Sequence, residues 1–311
     1  MSRHVKVMSV AFKPVDADKM LDILHSSIHT GLDLVVMPET CTGNAVQGAP
    51  PYSSTIQAVQ KAAMNYQTNI VLPLYISSEG VKRINTALVI NREGAIVGAY
   101  RKLYPYWSEF DIDPPCAVTD GGDYTVELDF GKIGLAICFD ANFPCVWQNL
   151  YDEGAELVVW SSAYSAGMQL AAYSLIHHYP ILTSTQVPDA AIYDIDGREI
   201  AYMQGADQSG ADGGIVEGGA CIMERTIDLD RCIFHYNFNQ DKAEQLIAAH
   251  GADVEIEKDY WREQWFILRS KKDGINAREL ASKYHMTELC KYQENSKKDI
   301  DAMRIDIRKN L

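Results

Sequence analysis

Lys132-Ile133-Gly134-Leu135-Ala136-Ile137-Cys138-Phe139-Asp140 is an apolar run that closes on a thiol and a carboxylate, and Asn142-Phe143-Pro144 behind it opens a helix. A short, nearly continuous apolar run fits a strand buried on both faces, and proline suits the first turn of the helix that follows. A cysteine at the carboxyl end of such a strand is held rigidly. Backbone N–H groups beside it are free to meet a developing oxyanion. Two upstream strand patterns also end in reactive polar residues: Val35-Val36-Met37-Pro38-Glu39, and Ala95-Ile96-Val97-Gly98-Ala99 running into Tyr100-Arg101-Lys102. Glu, Lys and Cys thus stand, in that order, at successive strand ends.

Outward from this centre, short β-rich runs alternate with helical patterns, which is the signature of an α/β fold. Strands are expected at 5–12, 33–37, 69–74, 85–90, 95–100, 124–129, 132–138, 156–160 and 181–186, with helices at 17–30, 54–67, 144–153 and 168–178. Asp16 or Asp18 marks the start of the first helix. Two hairpins stand out, one turning through Asn91-Arg92-Glu93-Gly94 and the other through Asp194-Ile195-Asp196-Gly197. They are a faint repeat signal that chance explains equally well. The segment Gly205 to Gly219 lacks a G-x-G-x-x-G spacing and carries Asp207 and Asp212, which would repel phosphate, so it reads as a loop.

The character changes near residue 256, which divides the chain into a main domain, 1–255, and a C-terminal helical extension, 256–311. Trp261, Trp265, Phe266 and Leu268 form an aromatic patch, and 274–311 is charged and helix-prone. That tail reads either as a solvated helix or as an arm packed on a second subunit. Trp261 and Trp265, spaced i,i+4, need a surface to bury them, which favours the arm.

Composition bounds the function. The chain has 311 residues, 47% hydrophobic and 23% charged, as expected of a globular protein with a sizeable core. A net charge of −14 argues against nucleic acid or an anionic membrane as partner and fits action on small molecules. No stretch approaches the ~20 apolar residues of a membrane span, and the N-terminus shows no signal-peptide core. Seven cysteines, at 41, 116, 138, 145, 221, 232 and 290, are odd in number and scattered without a C-x-x-C pair. That pattern predicts reduced thiols in a cytoplasmic protein.

Most of those cysteines read as small buried hydrophobes; Cys116 receives no assignment. Cys138 differs by its company, because a thiol nucleophile needs a base, a positive or N–H-rich pocket for the oxyanion, and a proton for the leaving amine. Glu39 can supply base and acid, although a glutamate after proline is more often a surface turn residue. Lys102 can supply fixed positive charge, although beside Arg101 it could equally be an ordinary exposed lysine. His25 and His29 have zinc-compatible spacing on the expected helix, but Ser26-Ser27-Ile28 between them supplies no Glu, so surface histidines are the better reading. Tyr104, Tyr106 and Trp107 fall in the loop that must cross the strand ends and read as pocket wall.

Pro38-Glu39, Tyr100-Arg101-Lys102-Leu103 and Ile137-Cys138-Phe139-Asp140, with Phe143-Pro144 behind, resemble the nitrilase (carbon–nitrogen hydrolase) superfamily over about residues 5 to 235. The resemblance implies a four-layer α-β-β-α sandwich that dimerises through a helical face and needs no cofactor or metal. It makes Cys138 the nucleophile, Glu39 the general base and Lys102 the oxyanion stabiliser, helped by the Phe139 backbone N–H. The family's second glutamate falls on Glu109. Tyr106, Trp107 and Tyr164 are the expected substrate-binding residues. Strict nitrilases usually follow the cysteine with Trp-Glu; Phe139-Asp140 resembles the amidase and carbamoylase branches instead. Two other departures, Ser162 where the family often has proline and Leu175-Ile176-His177-His178-Tyr179-Pro180 in place of an Arg-Ala-x-Glu-Asn pattern, touch the pocket and its supports.

The expected activity is hydrolysis of a non-peptide C–N bond through a cysteine thioester. Linear amides come first, N-carbamoyl compounds second and nitriles third as substrates. Acyl transfer to an amine, or a catalytically silent binding role, are the alternatives.

Overall fold

The computed structural model describes residues 3–43, 46–47, 53–78, 81–110, 122–204, 214–216, 219–272 and 274–304. Cys116, Asp207 and Asp212 lie outside the described residues. The chain divides into two compact units, Val5–Ile227 and Asp228–Leu311 together with Met1–His4.

The larger unit begins with β1 (His4–Ala11), α1 (Ala17–Ser27), β2 (Leu34–Val36), β3 (Val46–Gln47), α2 (Ser54–Tyr66), β4 (Asn69–Ser78), β5 (Val81–Ile90) and β6 (Ile96–Arg101). It continues with β7 (Thr125–Leu128), β8 (Gly131–Ile137), α3 (Pro144–Asp152), β9 (Leu157–Ser162), α4 (Gly167–His177), β10 (Ile181–Thr185), β11 (Asp189–Tyr193), β12 (Glu199–Gln204), β13 (Gly214–Val216) and β14 (Ala220–Asp228). Asp16 caps α1, its side chain accepting from the Lys19 N–H at 2.8 Å. The segment expected as a Gly-rich loop contains one short edge strand, β13, paired antiparallel with β14.

Among the described residues the strands form two large sheets, ordered β13-β14-β1-β2-β4-β5-β6, with β3 beside β4, and β12-β11-β10-β9-β8-β7. Helices cover the outer face of each. Met20, Ile23 and Leu24 of α1 and Ile56, Val59 and Ala62 of α2 pack with Val10, Val35, Ile70 and Leu88 of the first sheet. Trp147 and Leu150 of α3 and Leu170 of α4 pack with Ala136, Val158, Trp160 and Ile181 of the second. The sheets' other faces meet. Ser9 Oγ donates to the Thr183 carbonyl at 2.8 Å, Ser184 Oγ to Val10 at 3.2 Å and Ser161 Oγ to Met37 at 2.8 Å. These bonds satisfy hydroxyls that would otherwise be costly to bury between two apolar surfaces. The architecture is the expected α-β-β-α sandwich.

The two hairpins belong to a real structural repeat. β1, β2 and β4 are parallel neighbours followed by antiparallel β5 and β6, and β8, β9 and β10 are followed in the same way by β11 and β12. Each hairpin turn ends on a left-handed glycine, Gly94 at φ +75° and Gly197 at φ +78°. A Cβ there would stand 2.9 Å from the Gln60 carbonyl of α2 or 2.8 Å from the Ala171 carbonyl of α4, so glycine is required twice over. Such geometry leaves little mark in side-chain identity, which is why the repeat is faint in sequence.

The second unit holds β15 (Cys232–His235), α5 (Gln240–His250), β16 (Val254–Tyr260), β17 (Trp265–Ser270), α6 (Ala277–Lys283) and α7 (Leu289–Met303), with the strands ordered β15-β17-β16. The boundary expected at 255/256 falls inside β16. Trp261 and Trp265 share no helix: Trp261 sits in the β16–β17 turn, 75% exposed, and Trp265 begins β17. Their i,i+4 spacing spans a hairpin turn, where it has no helical meaning.

Candidate active site

Glu39 leaves the carboxyl end of β2, Lys102 follows β6 directly, and Cys138 follows β8. All three are buried, at 4%, 2% and 6% exposure. Glu109, 5% exposed, ends a single 3₁₀ turn, Trp107–Glu109, in the segment after Lys102. The Lys102 ammonium donates to Glu39 Oε1 at 2.8 Å and to Glu109 Oε2 at 2.7 Å. Glu109 is also fixed by its own turn, Oε2 accepting from the Tyr106 N–H at 2.7 Å.

Cys138 opens the 3₁₀ segment Cys138–Asn142 at φ +47°, a left-handed conformation uncommon for a residue with a Cβ. The sharp turn lifts the side chain off the strand end. Its thiol is pushed up to about 12, by burial first and then by the charge of Glu39, while Lys102 and the Ala163 backbone N–H oppose the rise. Burial also works against the charge of Lys102, but Glu39, Cys138 and Glu109 outweigh it and hold the ammonium above its usual range. Burial and the charge of Glu39 together disfavour a free thiolate at Cys138.

Three supporting residues escaped the sequence reading. Asn85, 2% exposed on β5, donates its Nδ2 to Glu39 Oε1 at 2.7 Å and to Glu109 Oε1 at 3.1 Å. Tyr75, its partner in register on β4, donates its hydroxyl to Glu109 Oε1 at 3.4 Å. Asp140 is fully buried and accepts from the Tyr100 hydroxyl at 2.8 Å, the Ile137 N–H at 2.9 Å and the Tyr104 N–H at 3.0 Å. Burial pushes its carboxyl up to about 7 against the pull of those hydrogen bonds. Only Asn85 and Tyr75 offered a signal, their placement inside apolar strands where an unpaired polar group is costly.

The expected pocket residues are placed as follows. Tyr106 and Trp107 are 42% and 63% exposed, with ring centroids 5.4 Å apart, and Phe139 meets Tyr106 edge-on at 5.4 Å. Tyr104 stacks on Phe143 at 3.6 Å. Tyr164 is half-buried, its ring edge-on to Trp160 at 5.4 Å between centroids, and burial, the largest cause, raises its hydroxyl. The Phe139 N–H belongs to the first turn after Cys138, where no intrahelical acceptor exists. His25 and His29 do not share a helix face, because α1 ends at Ser27, and His29 Nε2 lies 2.7 Å from Glu224.

Comparison with known proteins identifies the family. The carbon–nitrogen hydrolase family matches residues 8–233. Deaminated glutathione amidase of Synechocystis sp. is 25% identical over 200 residues, covering 58% of this chain and 69% of that protein. N-carbamoylputrescine amidase of Arabidopsis thaliana is 29% identical over 123 residues, 37% of this chain and 39% of the relative. Among solved structures, Saccharomyces cerevisiae Nit3, a member of branch 10 of the nitrilase superfamily, superposes with a TM-score of 0.58 at 17% identity, over 77% of this chain and 94% of its own. The fold and a match spanning most of the chain lead to one assignment: this chain belongs to the carbon–nitrogen hydrolase family, as an amidase-like carbon–nitrogen hydrolase.

Proposed function

We propose that the chain hydrolyses small linear amides, with N-carbamoyl compounds as the second class, through a thioester on Cys138. The observation that carries this reading is the Lys102 ammonium held 2.8 and 2.7 Å from two buried glutamates, with the charges of Glu39 and Lys102 both acting on the Cys138 thiol. Cys138 Sγ attacks the amide carbon as its proton passes to Glu39, because burial and the charge of Glu39 keep the thiol protonated until it attacks. The carbonyl electron pair moves to oxygen, where Lys102 and the Phe139 N–H stabilise it. Collapse breaks the C–N bond, and Glu39 returns the proton to the departing nitrogen. A water deprotonated by Glu39 then cleaves the thioester. Glu109 holds Lys102 in place, and Tyr106, Trp107 and Tyr164 form the pocket wall.

The relatives that act on an amide and on a carbamoyl amine support both substrate classes. The apolar exposure of Leu175 and Ile176 on α4 supports a homodimer through that face, and that of Ile300 and Met303 on α7 supports an arm on a partner subunit. Reduced, scattered cysteines support a cytoplasmic setting. The test is a panel of linear amides, carbamoyl amines and nitriles assayed with hydroxylamine present, the hydroxamate reporting the acyl-enzyme. Ammonia or amine release with a hydroxamate for amides, both abolished in Cys138→Ala, is the expected result. Turnover that survives Cys138→Ala overturns the mechanism.

A further inference from the structure

The buried glutamate pair has four carboxylate oxygens, and three are occupied. Glu39 Oε1 accepts from Lys102 at 2.8 Å and Asn85 at 2.7 Å. Glu109 Oε2 accepts from Lys102 and the Tyr106 N–H, both at 2.7 Å, and Glu109 Oε1 from Asn85 at 3.1 Å and Tyr75 at 3.4 Å. Glu39 Oε2 is buried and has no N–H or O–H donor among the described residues. A buried carboxylate oxygen left without a donor is costly unless it serves a reaction. The nearby proton source is the Cys138 thiol, whose pKa burial raises first and the charge of Glu39 second.

We propose that Asn85 is a positioning residue that selects which oxygen of Glu39 acts as the base, an inference that rests on the amidohydrolase reading above. With Lys102 it saturates Oε1 and leaves Oε2 as the acceptor for the thiol proton. One amide nitrogen donating to both glutamates fixes them against each other, and the amide orientation follows, since its oxygen cannot face two carboxylates. The Asn85 backbone carbonyl accepts from the Lys102 backbone N–H at 2.9 Å, which ties β5 to the residue after β6, while its side-chain Oδ1 is buried with no partner among the described residues. A neutral donor suits this position. It locks the geometry without adding charge, so the attacking proton still has an ionised carboxylate to enter. In the step served, the S–C bond forms as the proton moves from Sγ to Oε2, and the same proton leaves Oε2 for nitrogen as the C–N bond breaks.

The test uses the full chain carrying Asn85→Ala or the near-isosteric Asn85→Asp. It has two readouts: kcat and KM on the best amide of the panel, and the pH dependence of iodoacetamide alkylation at Cys138, followed by mass spectrometry of its peptide. Asn85→Ala is expected to lower kcat on the order of 10²-fold, as for a misplaced catalytic group, with KM within about twofold. Asn85→Asp replaces the donor with a third carboxylate and slows Cys138 alkylation at pH 8 by about tenfold or more, one unit of thiol pKa. Should Asn85→Ala fail to fold, Asn85→Asp carries both readouts. Folded variants with wild-type kcat and alkylation profile overturn the proposal. So does a loss of activity that tracks only the folded fraction while alkylation keeps its wild-type pH dependence. If the wild-type protein turns over no amide, the hydrolase reading fails, and the alkylation profiles still decide the role of Asn85.

Discussion

Tyr100 donates its buried hydroxyl to Asp140 Oδ2 across 2.8 Å, and this bond ties the strand that leads into Lys102 to the turn that begins at Cys138. Asp140 completes the link through the Ile137 and Tyr104 N–H groups on either side. The left-handed backbone at Cys138 is thus held from below by one carboxylate that also grips the lysine's segment. Tyr100→Phe removes one donor to that buried carboxyl group and is expected to cost about 1–3 kcal/mol of stability. A fall in kcat should accompany it with KM little changed, since the bond orients catalytic groups and not substrate. Thermal unfolding and steady-state kinetics on the same preparation check both.

Lys102 is expected to set the reactivity of the thiol as well as the fate of the oxyanion. Its charge pulls the Cys138 pKa down against burial and Glu39. Lys102→Met removes that pull, so the thiol rises further and alkylation at a fixed alkaline pH slows, while amide turnover is lost. The wild-type alkylation rate should climb with pH through 10 without a plateau, as a thiol near 12 requires. A plateau near neutrality would mean a stable thiolate and a different proton path.

His177 gives the fold an acid limit. It packs among Tyr173, Tyr179 and Tyr151, with ring centroids 6.4, 5.4 and 5.5 Å away, and burial lowers its pKa to about 4, with the neighbouring His178 adding to the fall. The unfolded chain, titrating near 6.5, binds the proton more readily than the folded one across that interval. The contribution is therefore complete above about pH 6.5 and is lost as pH falls toward 4, levelling off below. His177→Phe, which keeps the aromatic packing and cannot titrate, should flatten that acid limb in urea unfolding measured from pH 7 to pH 4.

Much of this arrangement is legible in sequence because strands buried on both faces are written as apolar runs, and what ends them stands out. Glu39, Lys102 and Cys138 are visible for that reason, and so is the α/β alternation. The supporting roles of Asn85 and Asp140 are not, because they lie in bonds to residues distant in the chain: Asn85 to Glu39 and Glu109, Asp140 to Tyr100 and Tyr104. Neither pairing follows from local periodicity. The three-stranded sheet of the second unit was hidden differently. β16 reads Val-Glu-Ile-Glu-Lys-Asp-Tyr, a charged edge strand whose composition suits a helix and whose pairing comes from β17.

The exposed aromatic pair, Tyr106 and Trp107, is expected to separate binding from chemistry. Trp107 stands on the 3₁₀ turn that ends in Glu109, yet Glu109 takes its local hydrogen bond from the Tyr106 backbone, not from either ring. Cutting the Trp107 side chain back therefore leaves the Lys102–Glu109 contact intact. Trp107→Ala is expected to raise KM about two- to tenfold, the worth of one aromatic contact, with kcat nearly unchanged on small amides. Tyr106→Ala should act in the same direction and more strongly, because its ring also braces Phe139, the residue next to Cys138. Kinetics on amides of increasing acyl length test the distinction. If the loss of Trp107 lowers kcat equally for the shortest and longest amides, the residue supports the catalytic turn, and the pocket wall lies elsewhere.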